Sequence, residues 1–443
     1  MNTWLVETPS FTNLSEPLAT RHGAGEVRQH GLPSVAELES WQTAYEQDGW
    51  ALPTQHPAVV QCEQPFWTTP HVGHWFQACQ GTSSAVAVLV PKQIRLDRLG
   101  ARGCRFTWHG WRLVGSDCLV TPRHTPNPQH DFTQSAVVDE ATRWCVKQVV
   151  RKALDLVRDS QADFWLIEDL EVGSLLEQVL TEEVPADWCW LRPGGIQSRW
   201  RISLAGDPAD YWRRFSSKTL STLRRKRRKF GRTRLECFTR PEQVPNFLAL
   251  AHHISRDTWQ TRQFGLRIAN NLREQRLYTT LAELGLLRSY IWFTEEQPAA
   301  FLVGLYNRQI YYYDEVGYVQ SYAKYSPGQT MLVQVLEDLL SGERPAWFDF
   351  GGGHADYKAF FSTHASRSGT VWLIPPSLTR RLLTAYSQSV LWAGRWLRRQ
   401  VHAGHLETRL RHMFRYGRGL TGYLARRSSS QTPPPCADPG DAS

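Results

Sequence analysis

The chain has 443 residues, of which 41% are apolar and 21% charged, with 19 Trp. This apolar content excludes a wholly disordered chain, and the length predicts two or three domains at roughly 100–200 residues each. Lys and Arg outnumber Asp and Glu by 51 to 42, a net charge of +9 that favours acidic partners without naming one.

No run of about 18 or more apolar residues occurs, so no spanning helix is expected. Met1–Ser10 lacks a basic stretch followed by an apolar one, so no secretory leader is expected either. The eight cysteines are scattered and form no C-x-x-C pair. That pattern argues against a zinc ribbon or thioredoxin-type site and predicts a reducing, cytoplasmic setting. No metal site is expected, because the fifteen His show no ligand spacing.

Residues 1–35 are rich in Ser, Thr, Pro and Gly and read as an irregular arm. From Val35, Leu38, Trp41 and Tyr45 recur at helical spacing. The turn Pro65–Pro70 is expected to launch a second helix through His74, Trp75 and Phe76. Ser84–Val90 and Phe106–Val114 read as strands. Glu140–Asp159 reads as a helix, Phe164–Ile167 as a buried strand, Leu175–Leu180 as a helix and Trp200–Leu204 as a strand. Alternating helix and strand predicts an α/β or α+β layer.

The second half repeats the theme. Pro208–Phe230 and Glu242–Trp259 read as helices. Strands are expected over Leu286–Phe293, Ala299–Tyr306 and Ile310–Tyr318, joined by hairpin-length turns. Ser326-Pro327-Gly328 opens a helix through Leu340. Trp347–Phe350 is a further strand, ending at three glycines, and Val371–Ile374 another. From Arg380 to Arg427 there are eleven Arg and one acid, Glu407, and Ser428–Ser443 reads as disordered.

Three segments carry candidate chemistry. In the first, a tyrosine-rich strand runs through Tyr313, Asp314 and Glu315 to a Ser-Pro-Gly bend and a helix. A helix start exposes backbone N–H groups and the positive end of the dipole, so it can hold a phosphate; an ordinary capped turn would look the same. The second is Phe348–Phe361, FDFGGGHADYKAFF. Asp349 stands at a strand end, and His354, Asp356, Tyr357 and Lys358 follow the glycines. Lys358 suits a phosphate, Tyr357 a proton donor and Asp349 or Asp356 an orienting group; a solvated turn is the alternative. The third is Tyr211–Arg234, with eleven basic residues. It suits nucleic acid or acidic groups, or simply a solvated helix face. No nucleic-acid signature accompanies it, so sequence-specific DNA binding is not expected.

In this order the segments resemble the Acetyltransf_6-type, CelD-like branch of the GNAT superfamily, linked with cellulose and other polysaccharide biosynthesis and related to Fem-type peptidyltransferases. Pro65-Phe66, Trp75, Phe215–Phe230, Asp257-Thr258-Trp259, Tyr311–Tyr318, Tyr325–Leu340 and Phe348–Phe361 carry the resemblance. It implies tandem GNAT-like domains, each a mixed β-sheet flanked by helices, over residues 36–205 and 206–376. An Arg-rich helical extension (377–427) and a tail (428–443) follow.

The resemblance further implies acyl transfer from acetyl-CoA or another acyl-CoA to an amine, or less often a hydroxyl, of a small molecule or glycan precursor. Tyr313, Ser326, Gly328, Gln329, Thr330 and Lys358 would bind the cofactor. Asp314, Glu315 and Tyr357 would be the catalytic candidates, and Trp259, Asp349, His354 and Asp356 would contact substrate. The usual phosphate loop is Q/R-x-x-G-x-G/A, whereas this one carries a single Gly. Strand alternation predicts that Asp314 and Glu315 face opposite sides, so that at most one sees the cleft. Two other readings stay open. One is a Fem-like transferase using aminoacyl-tRNA held by Lys218–Arg234. The other is a non-catalytic scaffold whose residues 380–427 lie on an anionic membrane.

Overall fold

The computed structural model describes residues 25–30, 33, 35–67, 73–95, 107–121, 139–256, 258, 268–307, 309–342, 344–353, 355–376, 385, 389 and 392. The chain divides into two compact units, Met1–Leu382 and Leu383–Ser443. Among the described residues, the strands lie in the first. The Arg-rich extension and the tail expected from the sequence lie almost wholly outside the described residues, as do Trp259 and His354.

In the first half, β1 (Gly25–His30) precedes α1 (Val35–Gln47) and α2 (Pro57–Glu63). Then come β2 (His74–Gln80), β3 (Ser83–Arg95), β4 (Thr107–Leu113) and β5 (Leu119–Thr121). Next are α3 (Glu140–Asp159), β6 (Phe164–Glu171), α4 (Leu175–Glu183), β7 (Cys189–Leu191) and β8 (Gln197–Ser203). The Asp139 side chain caps α3 by accepting from the Thr142 N–H, and the apolar stripe Cys145, Val146, Val149, Val150, Ala153 and Val157 is buried.

The helix expected through His74, Trp75 and Phe76 is a strand. Trp75 pairs with Val88 and Gln80 with Ser83, which leaves Gly81-Thr82 as a two-residue hairpin loop. Gly81 has φ of 61°, the left-handed conformation such a loop requires. The hairpin therefore overrides local helical spacing. Part of the expected irregular arm is also strand, because β1 pairs along β2.

The second half begins with α5 (Pro208–Arg213) and α6 (Ser217–Arg228), followed by β9 (Thr233–Phe238), α7 (Val244–Ser255) and α8 (Leu272–Glu283). It continues with β10 (Ser289–Thr294), β11 (Gln297–Tyr306), β12 (Ile310–Tyr318), α9 (Pro327–Ser341), β13 (Trp347–Gly352), α10 (Asp356–Phe361) and β14 (His364–Ile374). The single basic helix expected over 208–230 is split, because the Ser216 side chain accepts from the Thr219 N–H and starts a new helix.

Among the described residues, fourteen strands form one mixed sheet, in the order β1-β2-β3-β4-β6-β14-β8-β13-β12-β11-β10-β9, with β5 on β3 and β7 on β14. A strand–helix–parallel strand unit occurs in each half. In the first, the connection from β4 to β6 includes β5 and α3, and β4 and β6 pair in parallel over Gly110–Arg112. In the second, α9 joins β12 to β13, which pair over Ile310–Tyr312. Between these units the halves exchange strands. β8 of the first half pairs with β13 of the second, and β14 of the second pairs with β6 of the first. β8 and β14 also pair with each other at the centre.

A buried charge network locks this crossing. Asp349 on β13 receives Arg199 at 2.8 Å and Arg201 at 3.0 Å, both from β8. Arg201 reaches across to Glu171 on β6 at 2.8 and 3.0 Å. Burial alone would raise the Asp349 carboxyl, but the two guanidinium groups outweigh it and hold the group far below the usual carboxylate range. Among the described residues no helix is long and apolar enough to cross a membrane.

Candidate functional site

β12 and β13 stay paired for only three residues. Tyr312 faces Asp349, and beyond that point the two strands part. Each strand carries an irregularity on its other side. On β12, Glu315 pairs with Val303 and Tyr313 with Gly304, so Asp314 is the extra residue of a bulge. On β13 the register shifts between Asp349 and Gly352. Bulges bend strands and re-aim side chains, and here the two of them open a wedge at the ends of the parallel pair.

Aromatic rings line the wedge. Tyr313 packs edge-on against Phe350 at 5.3 Å between centroids. The Tyr357 hydroxyl, on α10, lies 3.4 Å from that of Tyr313. Burial pushes both phenols above their ordinary value, so both are protonated donors at neutral pH.

The bulge also corrects the expectation for the acids. Before it, Tyr311 and Tyr313 point into the core beneath α9, while Ile310 and Tyr312 point to the α7 side. After it, Val316 and Tyr318 are the residues on the α9 side. The phase slips by one, and Asp314 and Glu315 both fall on the face toward α8. Tyr278 of α8 accordingly feels both carboxylates, together with Glu274. Both acids reach solvent at this rim. Partial desolvation raises Asp314, and burial with the charges of Asp314 and Glu274 pushes Glu315 up to about 7.

At the mouth of the wedge, β12 leads through a 3-10 turn, Gln320–Tyr325, into the bend at Ser326, where φ is 61°. No side chain caps α9. Pro327 has no N–H, and the Thr330 N–H is taken by the Ser326 carbonyl at 3.2 Å. The N–H groups of Gly328 and Gln329 are thus left at the positive end of the helix. A Cβ at Gly328 would meet only Tyr318, at 3.9 Å, so the approach to these groups is open.

Cations surround the bend. The Lys226 Nζ on α6 donates to Gln329 Oε1 at 2.8 Å. The Lys324 and Lys229 ammonium groups lie 4.8 and 6.0 Å from the Tyr325 ring centre. The T-shaped contact of Phe230 with Tyr325, at 5.6 Å, anchors the end of α6 to the bend.

The wedge and bend therefore bring together Tyr313, Tyr357, Ser326, Gly328 and Gln329 on the α9 side, whereas Asp314 and Glu315 lie at the rim on the opposite face, toward α8. Thr330 is spent on its own helix, its hydroxyl donating to the Ser326 carbonyl. Lys358 donates to the carbonyls of Phe350 and Gly352 at 2.8 and 3.1 Å and ties down the glycine turn instead of standing ready for a phosphate. Asp349 accepts from the Gly351 N–H at 2.7 Å and is buried between Arg199 and Arg201, so it orients that turn instead of contacting substrate as expected. Asp356 is exposed on the first turn of α10. The partners Arg199 and Arg201 escaped the sequence reading. Their alternation on a strand with an acid at a distant strand end is a signal visible only once the pairing is known.

This architecture is a mixed α/β fold whose second half is similar to a GNAT domain. Residues 217–359, about a third of the chain, match the family described as Acetyltransferase (GNAT) domain. No curated protein matches the chain. Among solved structures, FemX is similar at a TM-score of 0.51 and 10% identity, over 81% of this chain and 100% of that one. The C-terminal domain of a putative lysylphosphatidylglycerol synthetase from Agrobacterium fabrum gives 0.46 at 13% identity, over 81% and 97%. A tandem GNAT protein from the clavulanic acid biosynthesis pathway gives 0.40 at 12%, over 80% and 99%.

Proposed function

We propose that the chain transfers an acyl group from an acyl-CoA, with acetyl-CoA as the simplest donor, to the amine of a small molecule or glycan precursor. The observation that carries this reading is the uncapped start of α9, ringed by Lys226, Lys229 and Lys324, at the mouth of the β12/β13 wedge. The pyrophosphate of the donor meets the Gly328 and Gln329 N–H groups, and the pantetheine arm enters the wedge. Glu315, raised to about 7, removes the proton from the ammonium or amine acceptor. The nitrogen attacks the thioester carbonyl, the C–S bond breaks, and Tyr357 protonates the leaving thiolate. The test is release of free CoA thiol from acetyl-CoA with a panel of amines that includes glucosamine. Acceptor-dependent release that is lost in Glu315→Gln is expected. Release in no mixture contradicts the reading.

A second reading rests on α6. Arg224, Arg225 and Arg228 make no ion pair among the described residues and form a row suited to a nucleic-acid backbone, as an aminoacyl-tRNA donor would require. It predicts tRNA binding that weakens steeply with salt; no binding at low salt removes it.

A further inference from the structure

A cavity of about 250 Å³ opens beside the glycine turn at Gly352, lined by strands of both halves. Asp169 of β6, Ser368 and Thr370 of β14, Gln197 of β8, Trp372 and Pro193 line it. Three features set it apart. Asp169 has φ of 53°, a left-handed backbone that costs energy for a residue other than glycine. Its carboxylate makes no hydrogen bond or ion pair among the described residues. Ser368 is 1% exposed, and its hydroxyl has no hydrogen-bond partner among the described residues. Both groups converge on one point: a Cβ at Gly352 would lie 2.7 Å from Asp169 Oδ1 and 3.3 Å from Ser368 Oγ. A buried hydroxyl without a partner is destabilising unless something fills its place.

The surrounding charges identify the class of ligand. Arg199, Arg201 and Lys358 balance Asp169, Glu171 and Asp349, so the site has no net charge to attract a phosphate or a carboxylate. Its walls combine a flat indole and a proline ring with hydroxyl, amide and carboxylate groups. We infer that this cavity seats a neutral, hydroxyl-rich ring, that is, a sugar. The C–H face of such a ring packs on Trp372, and its hydroxyls donate to Asp169 and exchange hydrogen bonds with Ser368 and Gln197. Binding of the sugar stands apart from acyl transfer. Only its role, as the ring that carries the acceptor nitrogen, rests on the function proposed above.

The experiment titrates the full-length chain with glucose, glucosamine and, as a cation control, methylammonium, by saturation-transfer NMR. Acetyl-CoA binding is measured in parallel by calorimetry. Saturable sugar binding is expected, weakened roughly tenfold by Asp169→Asn and less by Ser368→Ala, with acetyl-CoA binding unchanged in both variants. Asn tolerates the left-handed backbone, so Asp169→Asn should keep its fold. Failure of both sugars to bind the wild type, binding of methylammonium instead, or equal sugar affinity in all three proteins overturns the inference. Sugar binding without any acetyl-CoA binding would keep it and remove the proposed acyl transfer.

Discussion

Lys226 Nζ donates to Gln329 Oε1 across 2.8 Å, fastening the basic helix α6 to the first turn of α9. The contact holds a cation beside two unpaired backbone N–H groups, and charge and helix dipole add at that point. Lys226→Ala is therefore expected to weaken acetyl-CoA binding about 5- to 10-fold, as for loss of one charge-assisted contact. The salt dependence of binding should become shallower in parallel. Calorimetry at two ionic strengths checks both.

The raised Glu315 carboxyl sets a pH profile. Burial and neighbouring acids favour its neutral form, so the base is available only above about pH 7. The kcat/KM for amine transfer should rise to a plateau with an apparent pKa near 7 in the free enzyme. Glu315→Gln should remove that limb. The sign for stability is opposite. A carboxyl with a raised folded-state pKa contributes stability below the unfolded pKa and loses it as pH rises through about 7. Glu315→Gln should therefore unfold at a higher temperature than the wild type at pH 8, and at nearly the same temperature at pH 4.

Tyr357 tests the other end of the reaction. Its hydroxyl, kept protonated by burial, faces Tyr313 at the wedge. Tyr357→Phe should lower kcat by roughly 10²-fold, within the range for a lost general acid, and leave the Kd for acetyl-CoA nearly unchanged. An equal loss in Kd would make the residue a binding group instead.

The charge network at the crossing is a stability element. Asp349→Asn leaves Arg199 and Arg201 buried without their shared carboxylate and is expected to cost about 3–5 kcal/mol. Because the wild-type carboxyl is depressed, its stabilisation is present above the ordinary Asp pKa and disappears as pH falls through the folded value. In denaturant melts the gap between the two proteins should therefore narrow, without closing, between neutral pH and about pH 3.

Much of this was legible in the residues. α3 and β12 have the bounds that periodicity predicts, because each is a long amphipathic or apolar run with clear stops. The Ser-Pro-Gly bend was readable because proline, glycine and a following apolar stripe have few other uses. What escaped depends on long-range pairing. Trp75 and Phe76 mimic a helix until Gly81 turns β2 back onto β3. Asp314 and Glu315 alternate on paper, and only the register against Val303 and Gly304 reveals the bulge that puts them on one face. The strand exchange joins β6 to β14, residues about two hundred positions apart, and no local pattern encodes it.

The most direct test is a calorimetric titration of acetyl-CoA into the wild type and Gly328→Trp. The variant should fold normally, since a side chain at 328 has room, but its indole would cover the α9 N–H groups. Saturable binding to the wild type, abolished or weakened at least about tenfold in the variant, is the result expected. Equal binding to both proteins, or none to either, contradicts the placement of the donor at this bend.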